Sequence, residues 1–248
     1  MGSSVSIIIP AYNEEGNIEG ALQSVTDALK GVIDDYEIII IDDGSRDQTA
    51  AIAKAQSQKN PRVKVVSNEK NEGYGYSFRR GVGLAVKTYV TVFPGDNDMS
   101  SDSLRNLIQA RTLADCVSTH PVKGHRRSLF RRTLSRTFVC MMNILFGLNL
   151  KYYNGAFICK TALLQATPIK SNGLAVLAES LIRLIKAGCS FQSIPFEHTG
   201  RKSDKSKAFS RKSIAAVLAT VLILIQDIYF DPKKSAQNKN TVYASNRS

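Results

Sequence analysis

Tyr89-Val90-Thr91-Val92-Phe93-Pro94-Gly95-Asp96-Asn97-Asp98 runs from a short apolar stretch straight into a loop carrying two carboxylates two residues apart. The apolar part reads as a strand. Toward the N-terminus, residues 5–9 and 37–41 are two more short runs, as expected for strands buried on both faces, and 63–66 reads as a further strand. Pro10 ends the first of them. Asn13-Glu14-Glu15 then opens a helix with acidic residues in its first turn, and Leu22, Val25 and Leu29 recur at helical spacing. Asp47 is placed to cap a helix through Ile52 and Ala55. A helix over about 76–86 leads into the strand at 89–93.

Alternating strands and helices imply an α/β protein, with a Rossmann-like, mostly parallel central sheet and helices on both faces. Ligands of such sheets bind at the carboxyl ends of the strands. The loops 10–15, 42–47 and 94–101 are therefore the candidate binding loops. The second half is less regular. Residues 129–148 and 177–187 read as helices, 191–194 as a strand, 214–230 as a strongly apolar segment with basic flanks, and 231–248 as a disordered polar tail.

The 248 residues suffice for one large core, with 43% hydrophobic and 22% charged residues as in an ordinary globular enzyme. Cys116, Cys140, Cys159 and Cys189 lie far apart in sequence among apolar neighbours, without metal-ligand spacing, and read as reduced core thiols of a cytosolic protein. The net charge of +12 calls for an anionic partner. It is concentrated at 123–136 and 201–212, whereas 1–120 is nearly balanced. Nucleic acid is not expected as that partner, because no pattern of stacking aromatics accompanies the charge. No signal peptide is expected ahead of Val5, and the myristoylation-like Met1-Gly2-Ser3-Ser4-Val5-Ser6 is read as a chance match.

Two carboxylates in the Asp96–Asp98 spacing can hold one hard divalent cation, which in turn would bridge a diphosphate. Alone, the pair reads equally as an acidic turn ahead of a helix capped by Ser101 or Asp102. Its place after a strand favours the metal. Asp42-Asp43-Gly44-Ser45-Arg46-Asp47 puts a carboxylate at another strand end, suited to ribose hydroxyls or base N–H groups. Pro10, Tyr12 and Glu14 offer a surface for a nucleoside at the first, and read equally as an ordinary loop into a helix.

Taken together, residues 9–15, 42–49, Asn71-Glu72-Gly73-Tyr74-Gly75 and Asp96-Asn97-Asp98 resemble, in order and spacing, the family 2 glycosyltransferases over residues 5–112. The resemblance implies the GT-A fold. The second half is similar, more loosely, to dolichyl-phosphate mannose synthase and other polyprenyl-phosphate glycosyltransferases. The similar stretches are the basic helix at 130–136, Asn154-Gly155-Ala156-Phe157, Ala178-Glu179-Ser180-Leu181, Pro195-Phe196, Arg201 and Ser206-Lys207. Ser100, His120 and Asp204 depart from the pattern and leave the sugar open.

The resemblance implies metal-dependent, inverting transfer of a hexose-type sugar from a GDP- or UDP-sugar to a polyprenyl phosphate. Mg²⁺ or Mn²⁺ would sit on Asp96 and Asp98. The nucleotide sugar would lie on Pro10, Tyr12, Glu14, Asp43 and Asp96. The acceptor phosphate would lie on Arg131, Ser135, Arg136, Arg201 and Lys207. Asp98, Glu179, Arg201 and Lys207 are the candidate catalytic groups. Glu179 is open to three readings: a base for a saccharide hydroxyl acceptor, a group that positions sugar hydroxyls, or an exposed first-turn carboxylate. A catalytically degenerate nucleotide-sugar-binding subunit is the remaining alternative.

The expected organisation is a catalytic domain over 1–212, an apolar helix over 213–230 and the tail 231–248. That helix is shorter than the ~20 residues needed to cross a bilayer and holds Gln226 and Asp227. It is expected to bury against protein, an anionic membrane surface or a second copy of the chain, giving a cytoplasmic protein peripheral to the membrane.

Overall fold

The structure, a computed structural model, describes residues 4–122, 129–197 and 211–230, without the side chains of 129–132 and 211–214. Its strands are β1 (Val5–Ala11), β2 (Tyr36–Asp42), β3 (Val63–Ser67), β4 (Tyr89–Val92), β5 (Cys116–Pro121), β6 (Phe157–Lys160) and β7 (Phe191–Phe196). They form one sheet in the order β3-β2-β1-β4-β6-β5-β7. β1 is parallel to β2 and β4, β2 to β3, and β5 to β7, while β6 is antiparallel to both β4 and β5. The carboxyl ends of β1 to β5 and of β7 therefore share one edge.

The apolar runs are continuous because both faces are covered. Ile7, Ile9, Ile38 and Ile40 point into one core layer, packed by α1 (Ile18–Leu29) and α4 (Ser101–Gln109). Ile8, Ile39 and Ile41 point into the other, packed by α3 (Tyr74–Leu84), α6 (Thr161–Gln165) and α7 (Val176–Lys186). Each fully buried isoleucine contributes about 1.5–3 kcal/mol of burial. α2 (Thr49–Lys59) adds Ala53 to the first layer. α5 (Leu129–Phe146) and α8 (Arg211–Ile225) join α7 in a third cluster around Phe146, Tyr153, Ile182 and Leu224.

Several expectations need correction. Pro10 does not end β1, which continues to Ala11. β4 accompanies β1 only to Ile8, whose carbonyl accepts from Phe93 N–H. Alternate residues turn their backbone groups to alternate neighbours, so the Pro10 nitrogen faces the side that β4 has left, where no donor is needed. Glu14 and Glu15 do not open the first helix. Asn13 sits at φ 55°, a left-handed conformation a helix cannot include, and α1 begins at Ile18.

Asp47 lies one residue ahead of the N-cap position of α2, although it accepts the Thr49 N–H at 3.0 Å. α4 is capped by Ser100, whose hydroxyl accepts from Ser103 N–H, and not by Ser101 or Asp102. Cys116, Cys159 and Cys189 are buried free thiols, as expected, but Cys140 is exposed. Nor are the first two apart in space: Cys116 and Cys159 face each other across β5 and β6. The N-terminal Gly2 and the tail 231–248 lie outside the described residues.

Candidate functional site

The first two of the three candidate loops are tied to each other. Asn13 N–H donates to Ser45 Oγ at 3.0 Å, and Asn13 Oδ1 accepts from Arg46 N–H at 2.8 Å. Glu14 N–H donates to Thr49 Oγ1 at 2.8 Å, Glu15 N–H to Asp47 Oδ2 at 3.2 Å, and Gln48 N–H to Glu15 Oε2 at 2.9 Å. The loop after β1 and the loop after β2 thus form a single surface. Tyr12 and Glu14 are half-buried in it.

Asp43 sits beneath that surface, 3% exposed. One oxygen accepts from Asn68 Nδ2 at 2.7 Å and Glu72 N–H at 3.0 Å; the other accepts from Gly73 N–H at 2.9 Å. A carboxylate has about four acceptor sites, so three donors leave roughly one for a ligand. The loop that Asp43 holds packs tightly on the one before α2: a Cβ on Gly44, at φ +68°, would lie 2.6 Å from the Lys70 carbonyl carbon. Only glycine fits there.

Asp96 and Asp98 follow β4 on the same edge. Pro94 O accepts from Asn97 N–H at 3.1 Å, Asn97 adopts φ 55°, and Asp98 N–H donates to Asp96 Oδ1 at 3.2 Å. This closes a tight turn with both carboxylates on it. Tyr74, the first residue of α3, lies near Asp96: burial first, and then the Asp96 charge, raise its hydroxyl above the usual tyrosine range. Among the described residues no three His, Cys, Asp or Glu side chains gather into a metal cluster. The pair nevertheless fits a hard cation that takes one or two carboxylates from protein and its other oxygens from a phosphate-bearing substrate and water.

Of the residues expected to hold an acceptor phosphate, only the side chains of Ser135 and Arg136 are among those described. Ser135 is half-buried and Arg136 exposed on α5, where Arg136 borders an open apolar groove with Cys140, Met141 and Ile144. The Arg131 side chain, Arg201 and Lys207 lie outside the described residues. His120, at the end of β5, shares a 2.7 Å hydrogen bond with Ser193 and is held below the usual histidine range by burial and the charge of Lys151.

Glu179 is not an exposed first-turn carboxylate. It is fully buried, accepts Lys170 N–H at 3.0 Å and Ser171 N–H at 2.7 Å, and pairs with Arg183 Nε at 2.8 Å. These bonds hold a loop and leave the carboxylate enclosed. Arg183, Lys170 and Asp227 complete this cluster and were not expected from sequence. A charge inside the apolar run 214–230 was the available signal for Asp227.

Comparison with known proteins agrees with this geometry. Residues 6–170 match the family described as glycosyl transferase family 2. The chain is 28% identical over 187 residues to a dolichol-phosphate mannosyltransferase of Pyrococcus furiosus, covering 72% of this chain and 52% of that protein. It is 31% identical over 216 residues to an undecaprenyl-phosphate 4-deoxy-4-formamido-L-arabinose transferase of Pseudomonas fluorescens, covering 82% and 59%. It therefore spans little more than half the length of these relatives. Among solved structures, glucosyl-3-phosphoglycerate synthase from Mycobacterium tuberculosis in complex with UDP superposes with a TM-score of 0.68 at 21% identity, over 89% of this chain and 80% of that one. The same enzyme with Mn²⁺, UDP and phosphoglyceric acid gives 0.66 at 23% identity, over 89% and 79%. The sheet and its flanking helices are thus the GT-A fold, and the chain belongs to glycosyl transferase family 2.

Proposed function

We propose that the chain moves a hexose-type sugar, with inversion, from a GDP- or UDP-sugar to a polyprenyl phosphate. The observation that carries the donor half is the shared edge on which the laced loops after β1 and β2, the buried Asp43 and the Asp96–Asp98 turn converge. Pro10, Tyr12, Glu14 and Asp43 would receive the nucleoside, and Asp96 and Asp98 would hold Mg²⁺ or Mn²⁺. When bound, that cation would neutralise charge on the departing nucleoside diphosphate. UDP and Mn²⁺ in the structures of the M. tuberculosis enzyme support this reading.

The acceptor half rests on the polyprenyl-phosphate relatives and on chemistry. A phosphate oxygen would bond to the anomeric carbon as the bond from that carbon to the diphosphate breaks. A phosphomonoester has its second pKa at about 6, so the nucleophile is already anionic and needs no base. It needs cations and a hydrogen-bond donor: Arg131, Arg136, Arg201 and Lys207 are assigned as the first, and the Ser135 hydroxyl as the second. An enclosed Glu179 suits an acceptor that needs no base better than a saccharide hydroxyl.

The division into a domain over 1–212, a helix over 213–230 and a tail over 231–248 belongs to the same reading, as does attachment at the cytoplasmic face of an anionic membrane. No helix of the described residues is long and apolar enough to cross a membrane. Leu218, Leu222 and Phe230 on the C-terminal segment and Ile144 on α5 are exposed, which suits shallow contact with lipid or a second copy.

Incubation with labelled GDP- or UDP-sugars, Mn²⁺ and a polyprenyl phosphate tests the proposal directly. Transfer to the lipid phosphate, abolished by EDTA, is expected. Transfer to a soluble saccharide in its place would overturn the acceptor assignment. Failure to bind either nucleotide with Mn²⁺ would overturn the donor site.

A further inference from the structure

Asp227 interrupts the apolar C-terminal segment, on the π-helical turn Gln226–Phe230 that follows α8. Its carboxylate is met by two cations. Oδ2 accepts from Arg183 Nη2 at 2.7 Å and from Lys170 Nζ at 2.6 Å, and Oδ1 from Lys170 Nζ at 2.9 Å. The Arg183 side chain is 4% exposed and that of Asp227 10%. Buried pairs of this kind add little net stability over well-packed apolar side chains, because desolvation opposes the attraction. What such a pair does supply is a defined geometry.

That geometry leads to the nucleotide edge of the sheet. Arg183 and the Lys170 and Ser171 N–H groups are gathered on Glu179, and Ser171 Oγ lies 3.3 Å from Thr220 Oγ1 of α8. The Ser171 carbonyl and the Asn172 side chain accept from the Arg79 guanidinium of α3, and Asn172 O accepts Gly75 N–H at 2.8 Å. Gly73 has no room for a side chain, since its Cβ would fall 2.6 Å from Asn172 O. The start of α3 is therefore pressed between the segment 170–172 and Asp43, which holds Gly73 N–H. Tyr74, beside Asp96, is the next residue.

We propose that Asp227 is a positioning residue for the donor site, acting through Lys170, Arg183 and the 170–172 segment on the start of α3, so that the seating of α8 governs nucleotide affinity. The inference rests on the donor-site reading above. It links the exposed face of α8 to the donor loops: whatever binds Leu218 and Leu222 has a mechanical route to Gly73 and Tyr74.

Calorimetric titration of the full chain with GDP and UDP in the presence of Mn²⁺ tests it, using wild type, Asp227→Asn, Arg79→Ala, the double variant and Leu29→Ala. Leu29 is buried at the far end of α1 and serves as a control for general loosening. Asp227→Asn is expected to raise Kd by roughly tenfold, within the range of coupling through packed networks. Its effect should be non-additive with that of Arg79→Ala, because both break one route. Unchanged affinity in a folded Asp227→Asn variant, additive effects, or an equal rise in Leu29→Ala would each overturn the proposal while leaving the donor site standing. No binding by wild type would remove the donor site and this inference together. Should Asp227→Asn not fold, Lys170→Met removes the other, 43%-exposed half of the pair and repeats the comparison.

Discussion

Asp43 and Gly73 meet at the carboxyl-end edge of the sheet, where Asp43 Oδ2 accepts the Gly73 N–H at 2.9 Å. The bond joins the end of β2 to the start of α3 across thirty positions of sequence. With the bonds from Asn68 and Glu72 it makes Asp43 the anchor of the whole 68–73 loop. Asp43→Ala would strand these buried and part-buried donors. A loss of about 2–4 kcal/mol is expected, read as a lower urea midpoint, with Asp43→Asn in between. An unchanged midpoint in Asp43→Ala would show that the loop is held by other contacts.

The Asp96–Asp98 pair predicts the opposite balance of effects. Both residues are half-buried on a surface turn, so Asp98→Asn should shift the melting temperature of the free protein by no more than a few degrees. The extra thermal stabilisation that GDP or UDP gives in Mn²⁺ over EDTA should vanish. Retention of that metal-dependent increment in both Asp96→Asn and Asp98→Asn would place the cation elsewhere.

Much of this was legible before any coordinates, and the reasons are local. The runs at 5–9 and 37–41 are nearly all apolar because two helix layers cover the sheet there, and that pattern survives in a single sequence; β3, at the sheet edge, instead carries the exposed Lys64. β5 and β6 were not legible: Ser118, Thr119 and His120 break the apolar run of one, and the other spans four residues. Asp43 could be picked out from its position after β2, but its engagement by Asn68, 25 positions on, could not. Arg183 and Asp227 are 44 positions apart and share no spacing rule; only the tertiary fold brings them together.

Acid stability follows from two carboxylates. Burial would raise Glu37, but Lys64, Val86 N–H and Ser6 together hold it below the usual 4.5. For Asp227, burial is likewise outweighed by Lys170 and Arg183, which hold it below the usual 3.8. In both cases the unfolded chain takes up protons at higher pH than the folded one. Their stabilisation is fully present above those ordinary values and fades as pH falls through the lower, folded ones. Urea midpoints measured from pH 6 down to pH 2 should therefore decline below about pH 4.5, and less steeply in Glu37→Gln. An equal decline in that variant would assign the effect to other groups.

The outer faces of α5 and α8 give a test of membrane contact that is separate from catalysis. Ile144 is 76% exposed and Leu222 67%, so neither contributes much to the core. Ile144→Glu and Leu222→Glu should each change stability by no more than about 0.5 kcal/mol. Each also places a like charge against an anionic bilayer and removes apolar area from the contact. Co-sedimentation with vesicles containing anionic lipid should fall in both variants, and further in the double variant, with nucleotide binding in free solution retained. Vesicle binding that is unchanged in the double variant but lost at high salt would assign attachment to the basic clusters alone. Loss of a dimer in sedimentation velocity, with vesicle binding intact, would show instead that this face is covered by a second copy of the chain.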